Sequence, residues 1–495
     1  MHVLFLDKNW EGRKTGATVW RDGLLNNLNS KHSIITVPKN PLSFFVTLIK
    51  NKKKIFGADI VQTHVATFGI LFLCILLKLL RKKHVHMLHG DYFLESLDKG
   101  KLYILKYNLI LSVADLVVFP TEYLKENILK KKKIKNICVI HPGIEIKLNK
   151  AKWKKPKSFL EITSFTRKEK CNGLIPLIAA FNEIKAPNDE LIIIGGGPHL
   201  KEFKAKYSSK QVRFIGFQKD VFPWIKKCDA FVHSSYLESF GIILLEAMMY
   251  NKPILTVNVQ GIPEAVGNGG IIVEPTKNAL AKGFLELKSK KPAHLKEQEK
   301  HLKKFDWEKI TQAFEISYES LLKKTIFIIR HGETKFNVEK IITGQKNPPL
   351  TQNGFAQAQT IGTFFKQIPS GKVYSSDLQR SYTTAKQISS KVQKDKLLRE
   401  LYFGKLEGKK VPVGKKIILS EYDVEDLVVF RKRLEKFLKK VRKEKRTIIV
   451  AHEGTNKMLK SIITQKPYNY SEKQQNTEIF IAYPNEKKVL KENIA

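Results

Sequence analysis

Residues 230–247 read Ala230-Phe231-Val232-His233, then Ser234-Ser235-Tyr236-Leu237-Glu238-Ser239-Phe240-Gly241, then Ile242-Ile243-Leu244-Leu245-Glu246-Ala247. The first block is an apolar run of strand length. The last is an apolar run that follows a glycine, as at a helix start. A strand that passes through a polar loop into a helix is half of a βαβ unit, and repeated units build a parallel sheet with helices on both faces. In such sheets ligands bind beyond the carboxyl ends of the strands. Glu238 in the loop and Glu246 in the helix lie in that region. Helix-start amides suit a phosphate, and a carboxylate farther along can accept hydrogen bonds from vicinal hydroxyls. Two spaced glutamates alone fit a cap and a solvated side chain equally well.

The alternation recurs in both directions. Strand-length apolar runs occupy residues 3–6, 34–37, 60–62, 85–88, 116–119 and 138–141. The chain turns Lys-rich around 147–157, which marks a boundary. A second series occupies 159–164, 191–194, 212–215, 230–233, 253–257 and 270–273 and ends in a helical stretch at 307–323. A third starts at Thr325 almost without a linker, with further strands at 372–375 and 447–451. At about 100–200 residues per domain, the 495 residues make three domains. The expected fold is α/β: two doubly wound halves at 1–150 and 151–323, and a smaller α/β domain at 325–495.

Composition sets outer limits. The hydrophobic fraction of 42% suits a buried core, and the net charge of +41 suits either a solvated Lys-rich surface or anionic partners. No aromatic-interleaved basic motif points to nucleic acid. Cys74, Cys138, Cys171 and Cys228 form no CxxC pair, which fits a reducing cytoplasm better than a disulfide framework or a metal site. The first residues read as a strand and not as a signal peptide. The longest apolar stretch, 68–80, falls short of the ~20 residues of a bilayer span. It reads as a helix buried on a sheet; its flanks, Lys50 with Lys52–Lys54 and Arg81–Lys83, leave open a peripheral contact with the anionic inner face of a membrane.

Several motifs follow one another in order and well spaced: Ser164-Phe165-Thr166-Arg167; Leu191 to Pro198, ending Gly195-Gly196-Gly197-Pro198; Val212 to Phe217; Cys228-Asp229-Ala230; the Glu238 and Glu246 pair; Asn251-Lys252-Pro253; and Gly261-Ile262-Pro263-Glu264. Together they resemble the donor-binding domain of retaining GT-B glycosyltransferases of family 4, also called group 1. The resemblance continues upstream through Gly16, His64, His89-Gly90-Asp91, Ala114-Asp115 and His141-Pro142-Gly143. It implies a nucleotide sugar held between the two halves. Glu246 would hold the ribose, and Glu238 the transferred sugar. Arg167 and a nearby Lys, here Lys170, would face the diphosphate. Gly16 would let the N-terminal loop approach the diphosphate, Gly241 would open the phosphate-facing helix, and His89 would contact the reacting centre. The family's Lys-Gly pair is Asn172-Gly173 here, which puts the diphosphate lysine in question. No Asp-x-Asp pair occurs in 1–323, so the expected transfer uses neither a metal nor a cofactor beyond its nucleotide-sugar substrate; fixed cations and amide dipoles can hold the leaving diphosphate.

The third series places Arg330-His331-Gly332-Glu333-Thr334 after its first strand, with Asn337 close behind. Arg380 follows Ser375-Ser376-Asp377, Glu400 precedes Gly404, and His452 ends a strand in Ala451-His452-Glu453-Gly454. This set resembles the histidine phosphatase superfamily, which includes phosphoglycerate mutases. It implies His331 as the nucleophile. Arg330, Asn337, Arg380 and His452 would form the phosphate pocket, and Glu400 would be the general acid and then base. The short stretch between Gly408 and Arg446 favours a phosphatase over a mutase. One chain would then glycosylate a phosphorylated small molecule or glycan and remove the phosphate. Two other readings stay open: a cell-envelope glycan transferase whose phosphatase serves an unrelated metabolite, and a phosphate-binding sensor in place of the phosphatase.

Overall fold

The computed structural model describes residues 1–8, 16–38, 40–90, 100–149, 153–289, 292–410, 419–469 and 471–492. The chain forms two compact units, Met1–Glu315 and Ile316–Ala495. The division falls inside the helix Trp307–Leu322.

The first unit holds two six-stranded parallel sheets. One contains β1 (His2–Lys8), β2 (Lys31–Val37), β3 (Ile60–Thr63), β4 (Lys83–Met87), β5 (Leu116–Phe119) and β6 (Ile137–Val139), in the order β2-β1-β3-β4-β5-β6. The other contains β7 (Ser158–Ile162), β8 (Glu190–Ile194), β9 (Val212–Gly216), β10 (Ala230–His233), β11 (Ile254–Val257) and β12 (Ile271–Val273), in the order β12-β11-β10-β7-β8-β9. Strands such as β5 and β10 are buried along their whole length, because helices cover both faces. In the second sheet β7 and β10 are neighbours from which the chain winds away in opposite directions. That is a topological switch point, with a ligand crevice at its carboxyl end. The quoted stretch lies there, and the helix after it spans Ile242–Met249.

The second unit is a mixed sheet of β13 (Thr325–Arg330), β14 (Lys372–Ser375), β15 (Val392–Lys394), β16 (Arg446–Ala451), β17 (Ile479–Tyr483) and β18 (Lys488–Glu492), in the order β15-β14-β16-β13-β17-β18. The first four strands are parallel, and the hairpin β17–β18 adds antiparallel to β13. Aromatic and aliphatic side chains fill both faces, Phe327 and Phe365 on one and Phe430 and Phe437 on the other.

One expectation is corrected. The apolar stretch at 68–80 forms the helix Phe68–Leu79, but only one face of it is buried. Ile70, Leu73, Cys74 and Leu77 pack inward, while Phe68, Phe72, Ile75 and Leu79 are exposed. An all-apolar helix gives no periodic signal from which to tell its two faces apart. No described helix is long and apolar enough to cross a membrane. All four cysteines are buried, and none is in a disulfide.

Candidate functional site

In the second unit, β13 and β16 run side by side in parallel, with Arg330 opposite Ala451. Each strand ends into a histidine, so His331 and His452 emerge together, their rings 5.2 Å apart. The tautomer of His331 follows from its partners. Nδ1 lies 2.7 Å from the Gly332 carbonyl, which can only accept, so Nδ1 carries the hydrogen. Nε2 receives the Arg380 Nε–H at 3.1 Å, which can only donate, so Nε2 carries the lone pair. Burial, then the charges of Arg380 and Arg330, push the imidazole well below its usual pKa and keep it neutral. Burial and the same arginines do this to His452 as well.

Arg380 is 1% exposed. Its Nη atoms donate to the Lys346 and Gly344 carbonyls at 2.6 and 2.7 Å, and burial lowers it to about 10. Arg330 donates to the Gln474 carbonyl and pairs with Glu453 at 2.8 Å. Its Nε and the Nδ1 of His452 have no hydrogen-bond partner among the described residues, although both are buried. Buried polar atoms left open beside two arginines suit an incoming oxyanion. Glu400 accepts from Gly454 N at 3.0 Å and Thr455 N at 3.1 Å, at the start of the helix Glu453–Thr464. A Cβ at Gly454 would lie 2.5 Å from that carboxylate, so only glycine permits the approach. Asn337 uses its carbonyl oxygen in the capping box of a short helix, which leaves its amide as the remaining donor; Asn476 bridges it to the His331 carbonyl at 3.4 and 2.9 Å. The stretch read as a sign of a phosphatase falls in part, at 411–418, outside the described residues.

In the first unit, a cavity of about 230 Å³ opens at the switch point, lined among others by Gly90, Arg167, Lys170, Glu238 and Gln260. Lys170 Nζ donates to Glu238 at 2.8 Å, and Gln260 accepts from the Glu238 amide at 2.8 Å. Burial alone would raise the Glu238 carboxyl, but Lys170 and His233 outweigh it and hold the group charged. Glycines shape this wall. Gly241 starts its helix at φ 90°, and a Cβ at Gly173 would lie 1.6 Å from the Ser234 carbonyl. The triple glycine after β8 packs on backbone, since a Cβ at Gly197 would lie 2.3 Å from the Phe165 carbonyl carbon.

Not every residue named from the sequence lines this cavity. Glu246 lies along the helix beyond Gly241 and is absent from the lining. Burial, with Asp220 nearby, raises it to about 7. His89 sits beside Gly90 and is bonded to His64 at 2.9 Å, with the rings stacked; Gln62 in turn bonds His64 at 3.0 Å. Burial lowers His89 to about 4, so it is neutral. His64 is buried and satisfied, and it orients His89. Gly16 opens the helix Gly16–Asn27, while residues 9–15 before it, and Asp91, lie outside the described residues.

Sequence reasoning missed two groups. Glu161 on β7 and His233 on β10 form a buried pair at 2.9 Å across the switch point. The second nitrogen of His233 points at Glu238, 3.9 Å away. Burial opposes the imidazolium, but Glu161 outweighs it and raises His233. A charged residue inside an apolar strand was the available signal. Arg433 donates to the carbonyls of Leu397, Arg399 and Glu400 and braces the Glu400 segment. It was hidden in a helix already crowded with Lys and Arg.

Residues 326–492 match the family described as the histidine phosphatase superfamily (branch 1). Residues 145–304 match glycosyl transferases group 1, and residues 22–148 match glycosyltransferase family 4. The chain is 42% identical over 91 residues to fructose-2,6-bisphosphatase TIGAR of Bos taurus, across 17% of this chain and 34% of that protein. It thus spans about a third of that relative's length. It is 28% identical over 298 residues to an uncharacterized glycosyltransferase of Methanocaldococcus jannaschii, across 57% of this chain and 81% of that protein. Among solved structures, Anabaena HepE in complex with UDP is similar with a TM-score of 0.53 and 18% identity, over 64% of this chain and 98% of that one; at that identity the likeness concerns the fold alone. The chain is therefore an α/β protein that joins the family 4 and group 1 domains of a GT-B glycosyltransferase to a C-terminal domain of the histidine phosphatase superfamily.

Proposed function

We propose that the protein is bifunctional: residues 1–323 transfer a glycosyl group from a nucleotide sugar with retention of configuration, and residues 325–495 hydrolyse a phosphate monoester through a phosphohistidine. The observation that carries the second reading is the His331 ring. Its Nδ1–H is tied to the Gly332 carbonyl, which leaves the lone pair on Nε2, where it accepts the Arg380 Nε–H until a phosphoryl group takes that place, and Arg380 and His452 lie against the ring. In the first step Nε2 bonds to phosphorus, the ester P–O bond breaks, and Glu400 protonates the leaving oxygen. In the second, Glu400 takes a proton from water, whose oxygen displaces His331. Arg330 and Arg380 neutralise the charge on the phosphoryl oxygens through both steps, and Asn337 and the neutral His452 hydrogen-bond to them.

For the transfer, Arg167 and Lys170 would stabilise the departing diphosphate without a metal, Glu238 would hold the sugar and Glu246 the ribose. Gly16 and Gly241 would let backbone approach the phosphates, and His89, ordered by His64, would face the reacting centre. HepE binds UDP in its crystal, which makes UDP-sugars the first donors to try. The acceptor is a phosphorylated small molecule or glycan, and the phosphatase acts on the glycosylated product. Loss of phosphate then makes the two-step sequence effectively irreversible. The protein works in the cytoplasm, peripheral to an anionic membrane.

The test is phosphate release by the full chain from a panel of phosphorylated sugars, polyols and glycerates, with His331→Ala as the control. Selective release that the variant lacks supports the phosphatase, and faster release after glycosylation supports the coupling. Equal release by wild type and variant overturns the phosphohistidine.

A further inference from the structure

Three helices of the first half carry apolar stripes that face solvent. In Pro41–Lys50 the exposed positions are Leu42, Phe45, Val46 and Ile49; Leu42 is 76% exposed and Ile49 68%. In Phe68–Leu79 they are Phe68, Phe72, Ile75 and Leu79, the last again 76% exposed. In Lys101–Val113 they are Leu102, Leu105 and Leu109. Single exposed leucines mean little, but these recur at three- and four-residue spacing, so each helix turns a whole apolar face outward. The stripes adjoin. The Phe45 and Phe72 rings meet edge-on at 5.2 Å, and Phe44 packs so closely over Gly69 that a Cβ there would lie 2.5 Å from its ring. Lys106 of the third helix sets its ammonium over the Phe68 ring at 5.4 Å.

The charged side chains on these helices are all positive. These helices and the short helix Lys52–Gly57 contain no Asp or Glu, whereas Lys50, Lys52, Lys53, Lys54, Lys78 and Arg81 are exposed around them. A second copy of the chain meeting this face symmetrically would set cations on cations. A surface that is apolar at its centre and cationic at its rim instead matches an interface with anionic headgroups and acyl chains beneath them.

We propose that these three helices dock the protein on an anionic bilayer, with the apolar stripes entering the headgroup–acyl boundary and the lysines meeting lipid phosphates. The surface deepens the peripheral membrane placement proposed above, and it depends on neither reaction, so its failure would leave both active-site readings untouched.

The experiment is co-sedimentation of the full chain with phosphatidylcholine vesicles, with and without phosphatidylglycerol. Binding is expected only with phosphatidylglycerol, at least about tenfold above the neutral vesicles and weakened by salt. The double variant Phe72→Glu/Ile75→Glu should lose about tenfold while its circular dichroism stays unchanged, since both side chains are exposed. Because the native cysteines are buried, a fluorophore on Ile75→Cys reads the surface directly. It should shift to the blue with anionic vesicles, and the same label on Leu285→Cys, an exposed site in the other half of the unit, should not. Absence of binding, unchanged binding by the double variant, or equal response of the two labels overturns the proposal. So does a wild-type dimer that the double variant dissociates without any binding to vesicles, which would assign the face to a second copy.

Discussion

The buried histidines in and beside the first sheet should make the first unit acid-labile. His84 lies 2% exposed on β4, bonded to the Thr63 hydroxyl at 2.9 Å, and burial lowers it to about 4 against an ordinary 6.5. Its neutral form is favoured in the fold, so its full contribution is present above pH 6.5 and is lost as pH falls toward 4. At one pKa unit per 1.36 kcal/mol, the loss by pH 5 is about 2 kcal/mol for this one side chain. His64, His86 and His89 are lowered in the same sense, chiefly by burial. Glu246 opposes them: raised to about 7, it adds stability as pH falls from 7 toward its unfolded value, and His233, raised by Glu161, acts in the same sense. The lowered histidines outnumber these two, so a stability of about 5–15 kcal/mol should shrink markedly by pH 5. The assay is selective without truncation, because all five tryptophans, at 10, 20, 153, 224 and 307, lie in the first unit. Urea unfolding followed by tryptophan fluorescence should show a midpoint at pH 5.0 below that at pH 7.5. For His84 alone, at an m value of about 3 kcal/mol/M, the drop is roughly 0.7 M. His84→Gln, which can keep a bond to Thr63, should recover that share. A flat midpoint in the wild type, or an unchanged pH response in His84→Gln, refutes the reasoning.

Arg380→Ala should lower the rate of phosphate release by about 10²–10³-fold, as expected when one fixed donor to a transition-state oxyanion is removed; steady-state kinetics on the best substrate of the panel reads it. Glu453→Gln releases Arg330 from its ion pair and should tighten competitive inhibition by inorganic phosphate, so an unchanged inhibition constant would mean that Arg330 does not meet the phosphate. Glu161→Gln breaks a pair that is at most 1% exposed and should destabilise the first unit by about 3–5 kcal/mol at pH 6 in the tryptophan assay. That deficit should shrink as pH rises through the raised pKa of His233, because an imidazole that has lost its proton no longer needs the anion. Sugar transfer should survive chelation by EDTA, measured as product from a UDP-sugar donor.

Much of the fold was legible in the chain. Strands buried on both faces tend to be continuous apolar runs, so β5, β10, β13 and β16 stand out by composition alone. The run Ile479–Tyr483 carries the same signal, although it is not among the strands expected above; its hairpin partner β18 does not, because it is a partly exposed edge strand with Lys488, Lys491 and Glu492 among its five residues. Within the sites, residues carried by motifs at strand ends were found, since their place follows from chain order: His331 and His452 each follow a strand, and the parallel pairing of those strands brings them together. Glu161 with His233, and Arg433 with the Glu400 carbonyl, join residues far apart in sequence, and their chemistry exists only once strand order and helix packing have set the pairs.

The linear order of residues thus determined the alternation of strands and helices, the sites at the strand ends and the two families, because those depend on local spacing and on burial averaged over whole elements. Tertiary structure decided what depends on neighbours in space. It oriented the lone pair of His331, held Glu238 charged, and turned half of the helix Phe68–Leu79 toward solvent. Each of these is settled by which groups desolvate, pair with or cover a side chain, and the folded chain alone specifies them.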